Sequence, residues 1–229
     1  MDKKKYAVIV TAGGIGKRMG SAIPKQFLIL DKEPILMRTI RCFYKFNDDI
    51  QIVVTLPKDW QSFWLELCTK NDFDIPHQIV DGGIERFDSI KNALAQIQTD
   101  FVAIHDGVRP MVSSELIANC FAALTEVAAV VPALSLKESL RRGDANDSVA
   151  VDRSKYFSIQ TPQCFHTEAI RTAYQTTFQS IFTDDASVFE FAGGKIKLIE
   201  GEEQNKKITT PYDLKIASFL LKMTENNKA

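Results

Sequence analysis

Four clusters of residues in this sequence have side chains and spacings suited to handling phosphate. The first is Ala12-Gly13-Gly14-Ile15-Gly16-Lys17-Arg18-Met19, followed by Pro24-Lys25-Gln26. Glycines directly after an apolar run expose backbone N–H groups with no side chain in the way, which makes a phosphate cradle. The spacing is neither GxxxxGK[ST] nor GxGxxG, so the loop is neither a Walker A element nor the dinucleotide fingerprint. Arg18 and Lys25 follow the glycines closely. Two cations beside a backbone nest can hold a triphosphate and neutralise charge developing on a leaving pyrophosphate. Read singly, the loop is also compatible with a tight turn carrying solvated charges.

The second cluster is His105-Asp106-Gly107-Val108-Arg109-Pro110, directly after the apolar run Phe101 to Ile104. In an open parallel sheet, ligands bind outside the carboxyl ends of the strands. Asp106 is therefore expected at the same edge as the glycine loop, where a carboxylate amid phosphates suits Mg²⁺. Arg109 is placed to pair with a phosphate, the alternative being a structural Asp–Arg salt bridge. The third cluster, Gly82-Gly83-Ile84-Glu85-Arg86-Phe87-Asp88-Ser89, puts a diglycine before a helix. That allows close approach of another backbone or a flat base, with Ser89 able to hydrogen-bond a base edge. The fourth is Asn205-Lys206-Lys207-Ile208-Thr209-Thr210-Pro211. Its lysine pair, read as lying on a strand, either reaches a phosphate or protects an exposed edge.

The elements that position these clusters alternate. Tyr6 to Thr11 and Ile52 to Leu56 are continuous apolar runs of the kind buried on both faces of a parallel sheet. Phe101 to Ile104 and Val127 to Val131 read as further buried strands, Gln78 to Val80 as a short one, and Lys195 to Glu200 as a half-exposed one. Helices are expected from Pro34, over Trp60 to Cys68, over Glu85 to Ile97, after a Ser114 cap, and from Thr210-Pro211. Strands alternating with helices mean an α/β fold with a mostly parallel sheet. Residues 135 to 160 break the rhythm. They read as a polar hairpin with its turn near Gly143 to Asp147, in which Ser148 to Val151 and Ser135-Leu136 are able to pair.

Lys and Arg number 28 against 29 Asp and Glu, a formal net charge of -1. No global field draws such a chain to nucleic acid or an anionic membrane. The 229 residues, 45% of them apolar, are enough for a sizeable core without staples. Cys42, Cys68, Cys120 and Cys164 form no CxxC motif, and the first three read as buried small hydrophobes. His77, His105 and His166 form no local ligand cluster. The N-terminal apolar run meets a glycine turn at once and does not read as a signal peptide, and no stretch reaches the length of a membrane span. The expectation is a reduced, cytoplasmic, zinc-free, single-domain protein.

Taken together, AGGIGKRM, PKQFL, GGIERFDSI, HDGVRP, QTPQCF, TDDAS and NKKITTPYDLKIA resemble the 2-C-methyl-D-erythritol 4-phosphate cytidylyltransferases, in family order from Val8 to Leu221. The resemblance implies a Rossmann-like α/β fold with helices flanking a mostly parallel sheet, a protruding β-arm at about 135–160 used for homodimerisation, and a need for Mg²⁺ or another divalent cation. It implies transfer of CMP from CTP to 2-C-methyl-D-erythritol 4-phosphate with release of pyrophosphate. Gly14 and Gly16 would hold the CTP phosphates. Arg18 and Lys25 would stabilise the transition state. Ala12, Gly13, Gly83 and Ser89 would contact the cytidine, and Asp106 the metal. Arg109, Thr161 and Lys207 would bind the polyol phosphate, with Ser139 and Arg153 reaching in from the other subunit's arm. Ser139 stands where the family often has Thr, and Gly107-Val108 where it usually has Ala-Ala. The alternatives are a ribitol 5-phosphate cytidylyltransferase, which shares several of these elements but differs at TDDAS, and a non-catalytic nucleotide-binding module.

Overall fold

The computed structural model describes residues 5–14, 20 and 23–226. The expected alternation is present. Strands β1 (Tyr6–Thr11), β2 (Ile29–Leu30) and β3 (Glu33–Pro34) lead into helix α1 (Ile35–Phe46), then β4 (Gln51–Leu56), α2 (Gln61–Lys70), β5 (Gln78–Asp81) and α3 (Arg86–Leu94). β6 (Phe101–Asp106), α4 (Ser114–Ala123) and β7 (Ala129–Ser135) follow, then β8 (Leu140–Gly143), β9 (Ser148–Val151), β10 (Phe157–Ile159) and β11 (Gln163–His166). The chain ends with α5 (Thr167–Ala173), α6 (Asp185–Phe191), β12 (Lys197–Glu200) and α7 (Pro211–Asn226).

The main sheet runs β10-β7-β11-β6-β1-β4-β5, with β12 also on β7. β1, β4, β5 and β6 are parallel, while β11 enters antiparallel between β6 and β7. The alternation along β1 feeds two cores. Val8 and Val10 join α1, α2 and α4 through Leu36, Phe43, Trp64 and Ile117. Ala7 and Ile9 join α3, α5 and α6 through Phe87, Ile90, Ile170 and Phe189. Burial on both faces is the reason these strands read as unbroken apolar runs. A third small cluster packs Leu30, Ile35, Val108, Ile208 and Ala217 together, which ties α7 to two of the phosphate-type loops.

Between Ile159↔Ala133 and Cys164↔Val130, one strand advances five residues and β7 only three. The slack carries Thr161 off β7 and over to Asp106, whose N–H it accepts at 3.1 Å. The hairpin expected in 135–160 forms as a separate two-stranded sheet, with Gly143 at φ 132° beside Asp147. Its pairing differs from the expectation. Ser148 to Val151 pair with Leu140 to Gly143, whereas Ser135 pairs with Phe157, because the short turn puts the nearer segment in reach first. Ser113, not Ser114, caps α4, its hydroxyl accepting from Leu116 N–H at 2.9 Å. Lys206 and Lys207 lie in an irregular segment rather than on a strand. Cys42 and Cys68 are half-buried, while Cys120 and Cys164 are buried.

Candidate active site

Three parallel strands end side by side, pairing Thr11 with Thr55 on one flank and Asp106 on the other. Beyond their carboxyl ends lies a cleft of about 290 Å³. Ala12, Gly13, Gly14, Lys25, Gly83, Ser89, Asp106 and Lys207, spread over nearly the whole sequence, all line it. Gly16 and Arg18 lie outside the described residues. Gln26 is buried and donates to the Ala12 carbonyl at 2.6 Å, pinning the Pro24–Phe27 segment to the end of β1. Lys25, on the same segment, donates to the Ile208 carbonyl at 3.1 Å. Among the described residues none comes within 4 Å of where a Cβ on Gly14 would sit, which leaves room there for a ligand.

The Gly82–Ser89 segment is held by its own helix. Glu85 and Asp88 form a capping box at the start of α3. A Cβ on Gly83 would fall 2.2 Å from Asp88 Cβ, so the close approach that demands glycine there is intramolecular. Ser89 Oγ accepts from Gly83 N–H at 2.9 Å and donates to the Glu85 carbonyl at 3.2 Å. Its hydroxyl proton is therefore committed, and what it offers a base is an acceptor.

Asp106 is the centre of a cation cluster. Arg109 Nε donates to its Oδ2 at 3.0 Å and Lys207 Nζ to its Oδ1 at 3.2 Å. Arg109 also donates to the Asn205 carbonyl at 2.8 Å, and the buried Asn205 amide donates to the Thr161 carbonyl at 2.8 Å. Burial alone would raise the Asp106 carboxyl, but Lys207, Arg86 and Arg109 outweigh it and hold it well below the usual carboxylate range. Asp106 is thus ionised at any working pH. The salt bridge expected as the alternative role of Arg109 is present. The same arginine, with Thr161 and Lys207, also lines an adjoining cleft of about 310 Å³. Next to Asp106, burial pushes the His105 imidazole down to about 4, against a smaller opposing effect from its bond to the Arg109 carbonyl.

Arg86, within the Gly82–Ser89 segment, has no role evident from the sequence, and the structure gives it one. It makes a two-pronged ion pair with the fully buried Asp185, at 2.9 and 2.6 Å, and Tyr174 donates to the same carboxylate at 2.6 Å. Burial pulls the Arg86 guanidinium down, but Asp185 outweighs it and drives it above its ordinary value. Arg86 lines both clefts as a fixed positive charge. The local signal was an arginine in the first turn of one helix and a double acid at the start of another. Asp184, the first of those acids, caps α6 and accepts from Gln163 at 2.7 Å. Thr55 was also missed. Its hydroxyl is buried at the wall of the 290 Å³ cleft with no hydrogen-bond partner among the described residues.

Ser139 and Arg153 are not brought to the cleft by their own chain. Both are exposed on the arm, and Arg153 donates instead to the Lys137 carbonyl. Among the described residues no group of three or more His, Cys, Asp or Glu side chains could cage a metal. Asp106 alone still suits Mg²⁺, which is commonly held by one or two carboxylates together with substrate phosphates and water.

Comparisons with known proteins give the family and the fold. The family model IspD, 2-C-methyl-D-erythritol 4-phosphate cytidylyltransferase, matches residues 6–223. A protein of that name from Bacteroides fragilis is 48% identical over 214 residues, covering 93% of this chain and 98% of its own. Another, from Porphyromonas gingivalis, is 47% identical over 224 residues, covering 96% and 99%. Among solved structures, 4-diphosphocytidyl-2C-methyl-D-erythritol synthase from Anaerococcus prevotii superposes with a TM-score of 0.81 at 29% identity, covering 96% of each chain. The 2-C-methyl-D-erythritol 4-phosphate cytidylyltransferase of Thermus thermophilus gives 0.78 at 27% identity, covering 94% and 98%.

Proposed function

The chain belongs to the 2-C-methyl-D-erythritol 4-phosphate cytidylyltransferase family, and from that premise we propose how its residues divide the work. The enzyme transfers CMP from CTP to 2-C-methyl-D-erythritol 4-phosphate and releases pyrophosphate. The observation that carries the assignment of roles is that Gly13, Gly14, Lys25, Arg86 and Lys207 line one cleft with the carboxylate of Asp106, at the carboxyl ends of parallel strands.

Gly13, Gly14 and Gly16 hold the CTP phosphates through backbone N–H groups. Ala12, Gly13, Gly83 and Ser89 surround the cytidine, and the committed hydroxyl proton of Ser89 leaves an acceptor for the cytosine amino group. Arg109 and Lys207 bind the polyol phosphate in the cleft that Thr161 also lines, joined by Ser139 and Arg153 of the partner subunit in a homodimer built on the arm. A phosphate monoester is largely dianionic at neutral pH, with a second pKa of about 6, so no strong general base is needed. One of its oxygens attacks the α-phosphorus in line, the bond to the bridging oxygen breaks, and pyrophosphate leaves with the electron pair. Lys25, with Arg18, neutralises the charge that accumulates around the phosphorus. Catalysis is positioning plus charge stabilisation. A divalent cation, Mg²⁺ by chemistry, would sit on Asp106 and add positive charge to the phosphates. We further propose a single catalytic domain acting in the cytoplasm. No helix among the described residues is long and apolar enough to cross a membrane.

The test is pyrophosphate release with Mg²⁺ and a substrate panel. CTP with 2-C-methyl-D-erythritol 4-phosphate should turn over, CTP with ribitol 5-phosphate should lag far behind, and UTP or ATP should replace CTP poorly, since a small pocket rejects a purine. Equal rates with ribitol 5-phosphate or UTP would overturn the specificity. Absence of release on every pair would overturn the catalytic reading.

A further inference from the structure

Beneath the cation cluster, one fully buried side chain reaches both halves of it. His105 Nε2 lies 3.1 Å from the Arg109 carbonyl oxygen, and His105 Nδ1 lies 3.1 Å from Thr161 Oγ1. The Asp106 N–H donates to that same threonine oxygen at 3.1 Å. One placement of protons satisfies the whole chain. A carbonyl only accepts, so His105 Nε2 carries the ring proton and gives it to Arg109. The neutral ring then has a bare Nδ1, which accepts from the Thr161 hydroxyl. The hydroxyl oxygen is left to accept the Asp106 N–H. Phe43 meets the imidazole edge-on at 4.9 Å between ring centres and limits its rotation. The turn from Asp106 to Arg109 is closed by its own bond, Arg109 N–H to the Asp106 carbonyl at 3.1 Å.

We infer that His105 is a positioning residue for the transfer reaction. Through Thr161 it fixes the backbone that carries the Asp106 carboxylate, and through the Arg109 carbonyl it fixes the far end of the same turn. Asp106 and Arg109 are thereby set relative to each other from below, while Lys207 approaches from another segment. The inference also changes what Thr161 does. Its only hydroxyl proton is spent inside the protein, so it presents no donor to a substrate phosphate, and it serves the site by holding Asp106. Groups that orient a reacting shell commonly cost about 10–100-fold when lost, and small displacements of a reacting group have effects of that order.

The argument rests on the catalytic reading above, and wild-type turnover is the control that separates the two. With wild type active, His105→Leu should lower kcat about 10–100-fold while KM for CTP, and CTP affinity by calorimetry, stay within about threefold. Two amide variants divide the ring. His105→Asn places an acceptor near the Nδ1 position and keeps the Thr161 bond, whereas His105→Gln places a donor near Nε2 and keeps only the Arg109 bond. His105→Asn should therefore retain more kcat per folded molecule than His105→Leu, with the folded fraction read by circular dichroism. Equal kcat per folded molecule in wild type and all three variants would overturn the inference. If His105→Leu does not fold, the near-isosteric Thr161→Val replaces it. Combined with His105→Gln it should lose little more than the worse single variant, since both break one chain. Losses that multiply would show two independent roles and refute the relay.

Discussion

Arg109 and Arg153 are proposed to meet the same substrate phosphate, yet the molecule treats them in opposite ways. Arg109 is largely buried, clamped to Asp106 and to the Asn205 carbonyl before any ligand arrives. Arg153 is exposed on the arm and donates to the carbonyl of Lys137. The same contrast holds for their surroundings. In the cleft, nearly every charge is fixed by another segment distant in sequence: Arg86 by Asp185, Lys25 by Ile208, Lys207 by Asp106. On the arm the contacts are local or solvent-facing, as in Arg141 with Ser148 and Asp144 with the backbone of Asn146 and Asp147. A desolvated charge needs its partners in place, whereas a solvated one does not. One chain therefore carries a preorganised cleft, and its arm carries charges left in solvent, which the proposed homodimer would order.

The sharpest way to break the contrast is to remove a buried partner. Asp185→Ala should destabilise the fold by about 3 kcal/mol, because it leaves the buried Tyr174 hydroxyl without its partner and removes the ion pair of the half-buried Arg86. Chemical denaturation measures it, and a loss no larger than that of an exposed arm charge would erase the distinction between the two regions. Lys25→Ala tests the cleft from the side of chemistry. A charge aimed at the transition state should raise the barrier by about 3–4 kcal/mol, a hundredfold or more in kcat. The sequence places Lys25 on an exposed loop, but it is half-buried and bonded to the Ile208 carbonyl, so a stability loss of about 1 kcal/mol accompanies the kinetic one. Wild-type kcat in this variant would make Lys25 a structural tether only.

The same contrast governs what was legible in the sequence. β1, β4 and β6 were readable because burial on both faces writes an unbroken apolar run. Asp106, Lys25 and Gly83 were readable because glycine loops and the ends of such runs announce where a ligand sits. β11 was not, since Gln163 and His166 at its ends are polar and nothing local says that it enters antiparallel between β6 and β7. Arg86 and Asp185 stand 99 residues apart, and an ion pair at that separation has no local pattern. The arm hairpin was readable from Gly143 and its polar turn, but its partner strand was not, because Ser135-Leu136 and Leu140 to Gly143 offer similar pairing chemistry and loop length decided between them.

Sharing of sites between chains is the next test, with a smaller signal. Lys25→Ala and Arg153→Ala are each expected to be inactive as homodimers. Mixed after reversible dissociation, half of the dimers should be hybrid, and in each hybrid one site collects both defects while the other has neither. Activity should return to about a quarter of wild type, as twofold symmetry requires. No return, with subunit exchange shown independently, would place Arg153 in the service of its own chain.

The smallest expected effect concerns a buried hydroxyl in the cleft wall that has no hydrogen-bond partner among the described residues. Thr55 sits at the end of β4, fully buried, and its hydroxyl meets no hydrogen-bond partner among the described residues. On the arm a hydroxyl in that state would turn to water, but here water has little access. A buried hydroxyl without a partner costs on the order of 1–3 kcal/mol, so it is retained at the expense of the empty enzyme. Thr55→Val keeps the shape, suits a strand, and removes the unsatisfied atom. The ligand-free variant should be more stable by about 1 kcal/mol, a rise in Tm of about 2–4 °C for a chain of this size. If the hydroxyl is completed by bound nucleotide, saturating CTP should then stabilise the variant less than it stabilises wild type. The two measurements pull in opposite directions, which a simple packing change would not produce. An equal CTP-induced rise in both proteins would show that the Thr55 hydroxyl has no part in the nucleotide site.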